Sequence, residues 1–76
     1  EEIEKEIEGL EKQHKQLTGA KARLGQQMDS LDIMDKFYEK KYQDMETRLY
    51  RLYDEIEGVE NSIEEVKNRF AGHRSY

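Results

Sequence analysis

Glu11-Lys12-Gln13-His14 sets a carboxylate and an imidazole three residues apart, the Glu-x-x-His spacing with which helical bundles hold a pair of iron ions. That chemistry needs a second copy of the motif and further glutamates facing it. The other histidine, His73, has Phe70 where the glutamate would stand, so no metal site is expected, and His14 is read as a polar residue within a helix seam. Glu64 and Glu65 are neighbours, but acid–base catalysis needs a group held against a substrate, and a carboxylate pair on a solvated helix face is ordinary surface charge. Ser30, Ser62 and Ser75 have no histidine at a spacing that would activate a hydroxyl. The absence of cysteine removes thiolate metal sites and disulfides. The chain itself is therefore expected to be non-catalytic, with no cofactor and no metal.

The elements that carry these residues follow from composition and period. Of the 76 residues, 41% are charged, 34% belong to the AVILMFWYC set and none is proline. That is too little apolar material for a globular core in so short a chain, and it is the composition of long helices or of a disordered segment. Periodicity separates the two. Ile3, Ile7, Leu10, His14, Leu17, Lys21, Leu24, Met28 and Leu31 follow one another by alternating steps of four and three. The same alternation returns over Tyr38, Tyr42, Met45, Leu49, Leu52, Ile56, Val59, Ile63, Val66 and Phe70. With Ile7 as a, both series share one heptad register, Asp35 fills the intervening a site, and only His14, Lys21 and Asp35 interrupt an apolar a/d seam. A narrow apolar stripe with charged flanks is the pattern of a coiled coil.

Asp29, Ser30, Asp32 and Asp35 crowd into seven positions, and such side chains bond to nearby backbone, favouring caps and turns over helix interiors. The expected fold is all-α, an antiparallel two-helix coiled-coil hairpin, with a single long helix in a dimeric coiled coil as the alternative. One coiled-coil segment spans 1–76, with a first helix at about 2–31, a turn at about 32–35 and a second helix at about 36–70. Since the chain opens Glu1-Glu2 without methionine, it is expected to be an excerpt of a longer protein. Such a tight turn would match Met28 with Tyr38 and Leu24 with Tyr42, bringing Lys21 opposite Met45 and His14 opposite Leu52. The first helix is the weaker one, because Gly9, Gly19 and Gly25 each cost about 0.5–1 kcal/mol relative to alanine.

Charge and hydropathy restrict the partners. The net charge is −5, with −3 on residues 1–33 and −2 on the remainder, so neither half offers the basic stripe that neutralises phosphates, and no direct nucleic-acid contact is expected. No apolar run is long enough to cross a membrane or to serve as a signal peptide, and a cytoplasmic location is expected.

Leu31-Asp32-Ile33-Met34-Asp35-Lys36-Phe37-Tyr38, then Glu39-Lys40-Lys41-Tyr42, Leu49 and Leu52-Tyr53-Asp54-Glu55-Ile56, resemble the coiled-coil arm of the large serine recombinases, the phage and transposon integrases. In that family a first helix leads to a short turn, then an Ile, and five positions later an aromatic that opens the return helix, a spacing that Ile33 and Tyr38 match. The resemblance runs from about Ile3 to Arg69. It departs at Met34, where such arms commonly carry a small polar capping residue. The resemblance implies a segment projecting from the zinc-ribbon domain of a longer enzyme, whose tip contacts the arm of another DNA-bound recombinase and helps to set synapsis and direction. Catalytic serine and zinc cysteines would lie in other domains. The implied partners are a second copy, as a homodimer, and a recombination directionality factor.

The residues supply their own indication of where contact occurs. Ile33, Met34 and Phe37 fall at f, g and c positions, outside the seam and together at the turn. They either bury locally where the turn leaves heptad geometry, or form an apolar protein-interaction tip rimmed by Lys36, Lys40 and Lys41. Tyr50 and Tyr53, at b and e beside Arg48 and Arg51, are a weaker candidate flank for protein interaction, since tyrosines often only cover a seam edge. The competing function is a structural coiled-coil spacer or dimerisation rod.

The turn generates a direct test of shape. With Glu4→Cys and Asn68→Cys labelled for energy transfer and diluted into excess unlabelled chain, the labels should lie within about 20 Å in a hairpin and about 95 Å apart in one straight helix. Loss of the close signal on dilution would exclude an intrachain hairpin.

Overall fold

A computed structural model describes residues 2–73, the side chain of His73 excepted. Two helices, α1 (Glu2–Asp29) and α2 (Tyr38–His73), lie antiparallel in a rod of 63 × 15 × 13 Å. A single helix of this chain would be about 110 Å long at 1.5 Å per residue, so the single-helix alternative does not hold.

α1 ends without a left-handed residue, as no residue among those described has positive φ. Its last turn tightens: the Ser30 N–H donates to the carbonyls of Gln26 (3.0 Å) and Gln27 (3.2 Å), and the Leu31 N–H to Met28 (3.3 Å). Two consecutive aspartate-capped turns then reverse the chain. The Asp32 carbonyl accepts from the Asp35 N–H (3.0 Å) while its Oδ1 accepts from the Met34 N–H (2.9 Å). Asp35 repeats the pattern, its carbonyl accepting from the Tyr38 N–H (2.9 Å) and its Oδ1 from the Phe37 N–H (2.8 Å). The first α-helical bond of α2 follows, from the Lys41 N–H to Phe37 (3.0 Å). Asp-x-x-Asp thus supplies the local backbone bonds that these side chains are suited to make, and capping comes from either side of Met34. The connection occupies residues 30–37, two residues wider at each end than the sequence pattern predicts.

That extra length changes the pairing. Arg69 meets Glu6 (3.0 Å), His14 meets Glu60 (2.9 Å), and Lys21 Nζ lies 4.8 Å from the centre of the Tyr53 ring. Lys21 therefore faces Tyr53 rather than Met45, and His14 faces Glu60 rather than Leu52. The helices are offset by about one heptad from the tight-turn pairing, the smallest slip that still keeps a and d sites facing one another.

Leu24, Met28, Ile56, Val59 and Val66 are buried. The other seam residues, including Ile3, Ile7, Leu10, Leu17, Leu49, Leu52 and Ile63, are half-buried, and Phe70 at the open end is exposed. Two helices cover each other along one stripe only, and neither has a further layer to complete its burial. The polar seam residues lie where this incomplete cover leaves their polar ends accessible, which is why His14 and Lys21 reach partners at the seam edge.

The glycines make a clean test of helix propensity. A Cβ built at Gly9, Gly25 or Gly58 meets nothing within 4 Å, so alanine fits at each without strain. Gly9→Ala, Gly25→Ala and Gly58→Ala should each add about 0.5–1 kcal/mol to the stability of the chain, read as a rise in Tm by circular dichroism. A fall at any one of them would mean that its backbone is packed against something else.

Candidate interaction site at the turn

The residues between the capping aspartates are displayed rather than buried. Each Asp folds its carboxylate back onto the backbone, so the two central residues of each turn project from the end of the rod. Ile33 and Met34 are central in the first turn, Lys36 and Phe37 in the second. Ile33 is 75% exposed, Met34 87% and Phe37 57%. Local burial at the turn therefore does not occur. Three large apolar side chains are exposed within five residues at the turn, a concentration of apolar surface of the kind that marks contact sites.

The rim is of mixed sign. Lys36 Nζ sits 5.2 Å from the centre of the Phe37 ring, and Lys40 is exposed. Lys41 is not available as a rim charge on the same terms, because its Nζ donates to Asp35 Oδ2 at 2.6 Å. Asp35 is thereby used at every polar group, and the aspartate that interrupts the seam gains its physical reason. The Lys41 bond first, and the Phe37 N–H second, hold its carboxyl below the ordinary 3.8. Nothing in the heptad pattern points to Lys41 as a partner of Asp35. The clue was the Asp-x-x-Asp repeat, since a second capped turn places the start of α2 back over Asp35.

The flank is less apolar. The Tyr50 and Tyr53 rings lie 6.2 Å apart, tilted by 48°, and are 57% and 42% exposed. Lys21 stacks on Tyr53, so this tyrosine covers the seam edge while Tyr50 stands free of the seam. The same side carries Glu46, Glu57 and Glu60, the last of them bonded to His14. With Arg48 and Arg51 beside the tyrosines and Lys21 on the Tyr53 ring, the flank carries charges of both signs, as does the tip with Asp32, Glu39, Lys36 and Lys40.

The residues tested for chemistry are otherwise engaged. His14 bonds Glu60 rather than Glu11, and no group of three or more His, Cys, Asp or Glu side chains suited to a metal occurs among the described residues. The Ser30 and Ser62 hydroxyls donate to the carbonyls of Gln26 (2.8 Å) and Gly58 (3.0 Å). Glu64 and Glu65 are exposed, and Ser75 lies outside the described residues. A surface groove lined by Arg23, Gln26, Gln27, Ser30 and Met45 runs beside the turn, with no nucleophile and base together in it. No helix among the described residues is long and apolar enough to cross a membrane.

Asp35 predicts an acid-sensitive turn. Because its folded-state pKa is depressed, its contribution is fully present above the unfolded value and is lost as pH falls through the folded one. Asp35→Asn keeps a capping oxygen but removes the titration and the full ion pair. As the pH falls below about 4, its Tm should fall less steeply than that of the unaltered chain. Parallel pH profiles would show that the Asp35–Lys41 bond adds nothing in solution.

No protein-family model, no curated protein and no solved structure matches this chain, so its functional reading rests on its own residues and their geometry.

Proposed function

We propose that this hairpin is a non-catalytic protein-interaction arm of a site-specific DNA recombinase of the large serine class, and that it joins DNA-bound recombinases through contact between arm tips. In this reading the arm controls which sites synapse and in which direction recombination runs. Its principal partner is a second copy of itself, a directionality factor is a further one, and it acts in the cytoplasm without touching nucleic acid directly. The observation that carries the reading is the exposure of Ile33, Met34 and Phe37 together at the end of the rod. A spacer or dimerisation rod has no use for large apolar side chains at its turn, where they add nothing to the seam and favour unwanted association.

Two further features support it. The half-buried seam has no third layer, and a chain this small gains little net stability from its own core, so association adds what the monomer lacks. The mixed charge around the tip suits a two-fold contact, in which the same patch must complement itself. The turn residues are also those on which the resemblance to recombinase arms rests.

Ile33→Glu with Phe37→Glu tests the reading. Neither residue is in the seam, so helix content should stay nearly unchanged while self-association weakens by about 2–4 kcal/mol, the range of interface hot spots. In a full-length recombinase the same pair should impair pairing of sites and spare binding to each site alone. Sedimentation decides the first part: unchanged association would move the interface away from the tip, toward Tyr50 and Tyr53, and loss of helicity would make the two residues structural.

A further inference from the structure

The three methionines of the chain sit in three different environments. Met28 is 9% exposed and packed in the seam, Met45 is half-buried, and Met34 is 87% exposed at the centre of the apolar tip. A thioether is the one apolar side chain that mild oxidants convert directly into a polar one. Exposure governs which thioether reacts. Met34 is also separated from what holds the fold together. Its hydrogen bond to Asp32 runs through the backbone N–H, and its side chain lies outside the a/d seam.

We propose that Met34 is an oxidative modification site, with peroxides as the reacting class, and that its oxidation switches off contact at the tip. The step is a two-electron oxygen transfer. The lone pair of Met34 Sδ attacks one oxygen of hydrogen peroxide, the O–O bond breaks, the S–O bond forms, and the departing hydroxide takes the proton of the transferred O–H to leave as water. Sulfur is oxidised to the sulfoxide and the peroxide is reduced. The product carries a strong hydrogen-bond acceptor between Ile33 and Phe37, and a contact that excludes water would bury that acceptor without a donor. Asp32 and Asp35 keep their backbone bonds, so the hairpin itself is unaffected. Enzymatic reduction of the sulfoxide restores the thioether, which makes the switch reversible. This inference rests on the tip being the contact surface.

The experiment uses the whole chain, treated with hydrogen peroxide and followed by peptide mass mapping, circular dichroism and sedimentation. Met34 should gain one oxygen at least about tenfold faster than Met28, with helix content unchanged and self-association weakened by at least about tenfold. Met34→Leu, which has no thioether at the tip, should show the same association before and after peroxide treatment. Equal oxidation of all three methionines, or a loss of helicity on selective oxidation, would overturn the proposal. If the Met34 sulfoxide associates normally while Ile33→Glu with Phe37→Glu does not, the tip reading stands and the switch falls. If neither weakens association, the tip reading falls and takes the switch with it.

Discussion

Two aspartate side chains, each bonded to the backbone N–H two residues further on, hold the reversal of this chain. Asp32 and Asp35 share the task in series, because the turn opened by the first is closed by the N–H of the second. A helix that ends in solvent leaves carbonyls and amides without partners, and the usual remedy is a left-handed glycine. No glycine stands between Gly25 and Gly58, so polar side chains replace backbone freedom. This choice has consequences in both directions along the chain. It directs the residues between the aspartates outward, and its length determines which residues of α1 and α2 meet.

The seam follows from that pairing. Once the turn takes residues 30–37, the a and d sites can still interlock only if the helices slip by about a whole heptad. His14 and Lys21 then find Glu60 and the Tyr53 ring at the seam edge. An exposed His–Glu hydrogen bond and a cation–π contact are individually weak, and their value lies more in discriminating one register from another. An apolar seam of similar residues tolerates slippage by seven. Polar residues that lose their partners in the wrong register do not.

Incomplete burial is the other side of the same geometry. Among the described residues five side chains are buried, and most of the seam is only partly covered. The fold is a long lever with a modest core, stiff along its axis because both helices are continuous, and well suited to presenting a surface far from its base. Half of the exposed large apolar residues, Ile33, Met34 and Phe37, lie at the tip, while Tyr50, Tyr53 and Phe70 lie along α2. Both surfaces carry charges of either sign, and the tip differs in exposing aliphatic side chains, Ile33 at 75% and Met34 at 87%.

Much of this was legible in the residues before any coordinates. The unbroken alternation of threes and fours specifies helices and their inner stripe, since that period has no other simple physical reading, and four Asp and Ser residues in one short stretch locate the reversal against the absence of proline, which by itself favours one straight rod. Even the candidate surfaces were visible, because Ile33, Met34 and Phe37 fall off the stripe. Three things required the folded chain. The register did, because a heptad pattern repeats every seven residues and is satisfied equally by pairings one heptad apart, so the length of the turn had to choose between them. The partners of His14 and Lys21 did, because they follow from register. The exposure of the tip did as well, because a side chain at a turn can fold inward or outward with the same sequence spacing, and only the direction in which Asp32 and Asp35 bind the backbone turns Ile33, Met34 and Phe37 out into solvent.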